Sequence, residues 1–288
     1  MTVVVGFVGA LLLAIVCWRL LRPMLAGPAF QRENFRGAQL PVAAGLVVVL
    51  AVLAMAFLLT PVVLWSDDGP LVGRSVTGAV ILTVGFGLFG LLDDLIGTGG
   101  RRGFRGHLGA LAHGELTTGL LKLVGGGLVA IVVAFPLVRD DESWPWVGGS
   151  LPRLVAAALV IALAANLGNL LDRAPGRVGK VSLIVFVVLA AVSRLDLDLV
   201  GPALIAGAGA GMLSPDLRER CMLGDTGANV LGAGAGLGFV AVTGPGAWWI
   251  GVVVLAALNV VSERVSFSQV IARTPPLQWF DRLGARPR

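Results

Sequence analysis

Nine apolar runs, near 2–22, 40–64, 71–92, 116–138, 151–171, 179–194, 198–213, 226–243 and 247–263, leave this chain little choice but a bundle of membrane-spanning helices. A spanning helix needs about 20 mostly apolar residues. Lipid offers no hydrogen-bonding partner, so each segment must satisfy its own backbone, as a helix does. With 56% hydrophobic and 14% charged residues over 288 positions, the composition excludes a soluble domain with a large core. The expectation is an all-α polytopic integral membrane bundle of about nine to ten transmembrane helices. It forms a single transmembrane domain over 1–288, with a cytoplasmic amphipathic tail at 264–288. The 41 glycines, many in strings such as GAGAG, let helix backbones approach closely.

Basic residues set the expected orientation. If the N-terminus lies outside and nine spans alternate, 18 Lys and Arg side chains face inward and four, Arg74, Arg139, Arg153 and Arg194, face outward. The seven tryptophans all fall near span ends, as an interfacial belt requires. The net charge of +5 is then explained by topology and anionic lipid rather than by nucleic acid. The segment MTVVVGF has no charge ahead of its apolar stretch, so the first run reads as a retained helix rather than a cleaved leader. The expected location is the plasma (inner) membrane, multi-pass, with the C-terminus inside. Cys17 and Cys221 form neither a disulfide framework nor a metal-ligand spacing.

Against that apolar background, four aspartates stand out. Asp93 and Asp94 close VTGAVILTVGFGLFGLLDD, Asp172 closes LVAAALVIALAANLGNLLD, and Asp225 lies in CMLGDTGANVLGAGAG. A carboxylate at the edge of hydrocarbon is costly unless water, a cation or a partner charge meets it. The alternation of spans puts all four on the inner side. The adjacent pair cannot both stay ionised in a poorly solvated site unless positive charge is near. A divalent cation, or Arg101, Arg102, Arg105 and Lys122, can supply it. Asn166, Asn169 and Asp172 follow at three-residue steps and are expected to align on one helix face. Carboxylates, amides and water suit Mg²⁺, which is commonly completed by substrate phosphate oxygens. This points to phosphate chemistry at the inner face. The same acids would equally serve coupling protons or Na⁺ in a transporter, although neither an internal repeat nor a charge deep inside a span is present.

LLDD at 91–94, NLGNLLD at 166–172, GDTGA at 224–228 and the tail SERVSFSQVIARTPPLQWFDRLG at 262–284 resemble, in this order, the polyprenyl-phosphate N-acetylhexosamine-1-phosphate transferases. The resemblance runs from about residue 32 to 284. It implies transfer of a sugar-1-phosphate from a UDP-sugar to a membrane polyprenyl phosphate, with Mg²⁺ or Mn²⁺ and release of UMP. Asp93 and Asp94 then match the catalytic acid pair, and Asp225 the metal-binding aspartate of GDxG, with Asp172 beside it. Asn166, Asn169, Asp172 and Lys122 become substrate-binding residues, together with Arg101 and Arg105. A homodimer stays open. Where the family continues DGLDGL, this chain reads Asp172-Arg173-Ala174-Pro175-Gly176, and its final segment has no histidine. Those departures separate it from the peptidoglycan branch. They also support an alternative: a degenerate relative that binds a lipid-linked carrier in a structural or regulatory role.

Overall fold

The computed structural model describes residues 1–97, 117–138 and 150–286. Each apolar run forms helix over most of its described length, except that 40–45 is strand and turn before the helix begins at Leu46. The long helices are α1 (Thr2–Leu25), α2 (Leu46–Leu58) with its short continuation α3 (Thr60–Trp65), α4 (Gly69–Ile96) and α5 (Thr118–Ala134). They continue with α6 (Ser150–Leu171), α7 (Arg177–Val192), α8 (Val200–Leu217), α9 (Gly224–Val242) and α10 (Pro245–Ser262). Two short helices, α11 (Phe267–Arg273) and α12 (Pro275–Arg282), complete the chain. Among the described residues, seven helical segments are long and apolar enough to cross a membrane. The remaining two long helices are α7, at 16 residues, and the glycine-rich α9. The protein is therefore an all-α polytopic membrane bundle.

Among the described residues, one small sheet interrupts the helices. The loop after α1 is a hairpin of β1 (Gln31–Glu33) and β2 (Gln39–Pro41), antiparallel, with Arg32 opposite Leu40. Its exit runs beside the chain that enters α9. Met222 N donates to Pro41 O at 2.8 Å, and Ala44 N and Gly45 N donate to Met222 O and Leu223 O at 3.1 and 3.0 Å. These bonds satisfy backbone groups that would otherwise be stranded at the bundle edge.

The core forms around α8 and α9. Both carry alternating glycine and alanine, so neighbouring helices reach their backbones. α8 extends beyond the run at 198–213 to Leu217, and most of its length is buried. α9 packs against α4, α6, α7 and α8. A methyl on Gly232 would collide with the Ala164 carbonyl of α6. By contrast, only 6% of the α10 window is buried, so that helix lies at the periphery.

Alternation decides where the chemistry collects. α4, α6 and α8 end where α5, α7 and α9 begin, so their terminal polar residues share one end of the bundle.

Candidate active site

The acid pair at the end of α4 divides its work. Neighbouring positions on a helix point about 100° apart, because one turn takes 3.6 residues. Asp94 turns towards α9, where Oδ1 accepts from Asp225 N at 2.9 Å. Its Oδ2 accepts from Thr226 N at 3.0 Å and from Thr226 Oγ1 at 2.6 Å. Residue 223, the N-cap of α9, makes no side-chain cap of its own. Asp94 thus supplies the missing cap from another helix, and its negative charge is held by the first amides of α9. Gly224, at φ +66°, makes the approach possible, since a methyl there would meet the Asp94 carboxylate.

Asp93 turns the other way, towards α5. Its Oδ2 lies 3.3 Å from Lys122 Nζ, and the same ammonium donates to Asp225 Oδ2. The Asn169 amide of α6 completes the group. With its nitrogen donating to Asp225 Oδ1 at 2.6 Å, its oxygen accepts from Lys122 Nζ at 2.8 Å. That orientation satisfies both neighbours, whereas the reverse faces donor to donor. The side chains of Lys122, Asp225 and Asp93 are 17%, 21% and 24% exposed, so water reaches the cluster without dissolving it. Four helices therefore bring two carboxylates, an ammonium and an amide to one point. The like-charge problem of adjacent acids is resolved by giving Asp93 a lysine and Asp94 a helix terminus.

Glycines set the spacing. A methyl on Gly90 of α4 would strike the Asp225 carbonyl, and one on Gly168 of α6 would strike the Ala228 carbonyl. Without a side chain at these positions, α9 lies in backbone contact with the ends of α4 and α6.

Asp172, just past α6, stands within the fields of Asp216, Asp225 and Asp94. Burial first, and those three charges next, push its carboxyl well above the usual carboxylate range. Asp216 is itself fixed by the turn between α6 and α7, where its Oδ2 accepts from Gly176 N at 2.9 Å. Arg177, close to Asp172 in the chain, is bonded to Asp281.

The expected stripe of Asn166, Asn169 and Asp172 is not one face. Each three-residue step lags the helical turn by about 60°, so the ends of the stripe diverge. Asn166 donates to Asn259 Oδ1 of α10 at 2.5 Å, and Asn259 donates to Leu163 O and Leu255 O at 3.2 and 2.7 Å. Asn166 is thus tied to a neighbouring helix while Asn169 meets Asp225. Asn166→Ala is expected to lower stability by about 1 kcal/mol. Asn169→Ala is expected to lower turnover while leaving the melting temperature nearly unchanged, with thermal denaturation in detergent as the check. Arg101 and Arg105, expected beside a diphosphate, lie outside the described residues, as do Arg102, His107 and His113.

Several contributors were not singled out from the sequence. Thr226, inside the GDTGA motif, donates its hydroxyl to Asp94, a role that no local pattern marks. Asp216 lies at the end of α8 just as the other aspartates close their helices, three residues beyond the apolar run at 198–213. Arg32 donates to Asp94 O and Leu95 O at 3.3 and 3.1 Å, so the hairpin closes the end of α4.

The metal expectation meets a specific arrangement. Among the described residues, no three His, Cys, Asp or Glu side chains converge as a ligand set. Asp93 and Asp225 do converge, with the Asn169 amide beside them. Such an all-oxygen pair fits Mg²⁺ where substrate phosphates complete the shell.

An apolar cavity of about 250 Å³ lies between α6, α7, α9 and α10. Gly168 and Leu171, which bracket Asn169 in the chain, are part of its lining. A second cavity of about 290 Å³ lies at the same end of the bundle, between the hairpin, the α6–α7 turn and the C-terminal segment. It is lined by Phe35, Arg36, Pro175, Glu219, Arg282 and Arg286, among others.

Fold and site together define a polytopic membrane protein with an acid–lysine–amide centre at one end of its bundle. No family model matches the chain. It is 27% identical, over 299 aligned residues covering 96% of this chain and 85% of the relative, to the phospho-N-acetylmuramoyl-pentapeptide-transferase of Symbiobacterium thermophilum. That likeness, at modest identity over most of the chain, supports a place in the polyprenyl-phosphate sugar-phosphate transferase superfamily.

Proposed function

We propose that this protein transfers a sugar-1-phosphate from a UDP-sugar to a membrane polyprenyl phosphate, releasing UMP at the cytoplasmic face of the plasma (inner) membrane. The observation that carries this reading is the meeting of Asp93, Lys122, Asn169 and Asp225 beside the end of an apolar cavity. Such a cavity suits a prenyl chain, and the polar cluster at its end suits a phosphate. The arginine-lined cavity nearby suits a phosphorylated, water-soluble donor.

In the proposed reaction, an oxygen of the lipid phosphate attacks the β-phosphorus of the UDP-sugar. The bond from that phosphorus to the bridging oxygen breaks, and UMP leaves with the electron pair. Phosphoryl transfer asks mainly for positioning and for neutralisation of charge. Lys122 supplies a compact cation, and Asp93 accepts from it and orients the lipid phosphate. Asn169 holds Asp225 and Lys122 in register. Asp94 acts through α9, by fixing the helix end on which Asp225 stands. Mg²⁺, held by Asp225 and Asp93, would supply Lewis-acid stabilisation of the diphosphate. Asp172 lies within electrostatic reach of Asp94 and Asp225, beside the same centre.

Purified protein with undecaprenyl phosphate, a panel of UDP-sugars and Mg²⁺ is expected to release UMP with at least one sugar. Absence of UMP with every sugar, in the presence of either Mg²⁺ or Mn²⁺, would leave the reading without support. The degenerate alternative predicts lipid binding without turnover, unchanged by Asp225→Asn. It is favoured by Pro175 in the α6–α7 turn.

A further inference from the structure

The second lysine of the chain is as fully engaged as the first. Lys180, 8% exposed near the start of α7, donates to Phe280 O, Asp281 O and Leu283 O at 2.9, 2.7 and 3.3 Å. Those carbonyls close the end of α12. Its ammonium also lies 5.2 Å from the centre of the Phe280 ring. One turn earlier, Arg177 is 4% exposed. Its Nε and Nη2 fork onto Asp281 Oδ1 and Oδ2 at 2.7 and 3.1 Å, and its Nη1 donates to Ser268 Oγ at 3.0 Å. Two nearly buried cations are thus spent on the C-terminal segment, although cations at a bundle's end could simply face water.

The residue types suit these jobs. A planar guanidinium matches both oxygens of one carboxylate, whereas a tetrahedral ammonium can give three protons to three carbonyls. Apart from these bonds, the segment is held by its chain connection to α10, where Trp248 alone is buried, and by Arg36 Nη2, which donates to Arg286 O at 3.5 Å. The turn that carries Arg177 is held from its other side as well. Gly176, at φ +70°, donates to Asp216, and Asp172 lies at the start of the same turn. Ala174 and Pro175 from the turn, with Asp281 and Arg282 from the segment, form two walls of the 290 Å³ cavity.

We propose that Arg177 and Lys180 are positioning residues: they latch the C-terminal segment onto the α6–α7 turn, and the latch holds Asp172 and that cavity in working geometry. The part concerning turnover rests on the transferase reading, whereas the latch itself does not.

The test uses the full-length protein in nanodiscs and the variant Asp281→Asn, with Asp281→Glu as the conservative comparison. Amide hydrogen exchange is read over 266–286 and over 172–179, with α1 and α4 as the check on folding. The latch predicts exchange about 10-fold or more faster in both segments for Asp281→Asn, with α1 and α4 unchanged, and a partial return in Asp281→Glu. It further predicts a loss of about 10-fold in kcat with little change in KM for the lipid, as expected when positioning rather than binding is lost. Should Asp281→Asn not fold, Ser268→Ala removes one Arg177 acceptor and must give the same order of effects at smaller size. Unchanged exchange in 266–286, or a loosened segment with an unchanged turn, overturns the proposal. A loosened turn with unchanged kcat overturns its catalytic part. A parent protein without transfer activity counts against the transferase reading alone, and exchange still decides the latch.

Discussion

Lys122→Met is expected to lower UMP release by about 10²–10³-fold, the scale of losing one preorganised charged donor at a reacting centre. Lys122 is the single cation shared by Asp93 and Asp225 among the described contacts, and it also donates to the Asn169 amide. Removing it leaves two carboxylates facing each other in a pocket that is only about one-fifth exposed. Repulsion then drives them apart or forces one to bind a proton, and either outcome spoils a phosphate site. Lys122→Arg should recover little, because a planar fork cannot direct three donors towards acceptors on α4, α6 and α9. The measurement is turnover alongside a melting curve, so that lost chemistry is separated from lost fold. Near-parental turnover in Lys122→Met would remove the cluster from the mechanism.

Gly90→Val is expected to abolish turnover and to destabilise the protein by about 1–3 kcal/mol or more, the usual scale of overpacking a tight contact. Gly90 faces the carbonyl of Asp225 and the amide of Thr226, and these belong to backbone, which cannot rotate aside. A side chain there forces α4 away from α9. Asp94 would then lose the helix terminus it caps, and Asp93 and Asp225 would no longer share Lys122. Gly127 in α5 provides the contrast, since an added methyl there meets nothing within 4 Å. Gly127→Ala should leave turnover intact and raise stability by up to about 1 kcal/mol through helix propensity. Thermal denaturation in detergent distinguishes the two. Equal stability of Gly90→Val and the parent would show that the helix approach at α9 is not tight.

The position of Asp94 shows where reading residues in order reaches its limit. Two adjacent acids at a helix end look like one catalytic pair. On the helix they point apart, and one of them serves as a cap for α9. The asparagines behave similarly: Asn169 faces Asp225, while Asn166 joins α10 through Asn259. Three-residue spacing suggests a single face, yet across two steps the drift is about 120°, enough to reach a different neighbour.

The tail shows the same limit from another side. Arg177 and Lys180 read as topology signals in the sequence, because basic loops are common at the inner end of a membrane bundle. Their partners, Ser268, Phe280 and Asp281, lie about a hundred residues away. No local pattern announces such a pairing.

What the sequence determined by itself is the set of helices and the end on which their acids gather. Apolar length forces helices in lipid, and strict alternation carries Asp93, Asp94, Asp172 and Asp225 to one end. Which acid meets which partner was decided only by tertiary structure. That choice depends on how far each helix is rotated and how closely glycines let the backbones approach, and both are settled by packing between segments distant in the chain.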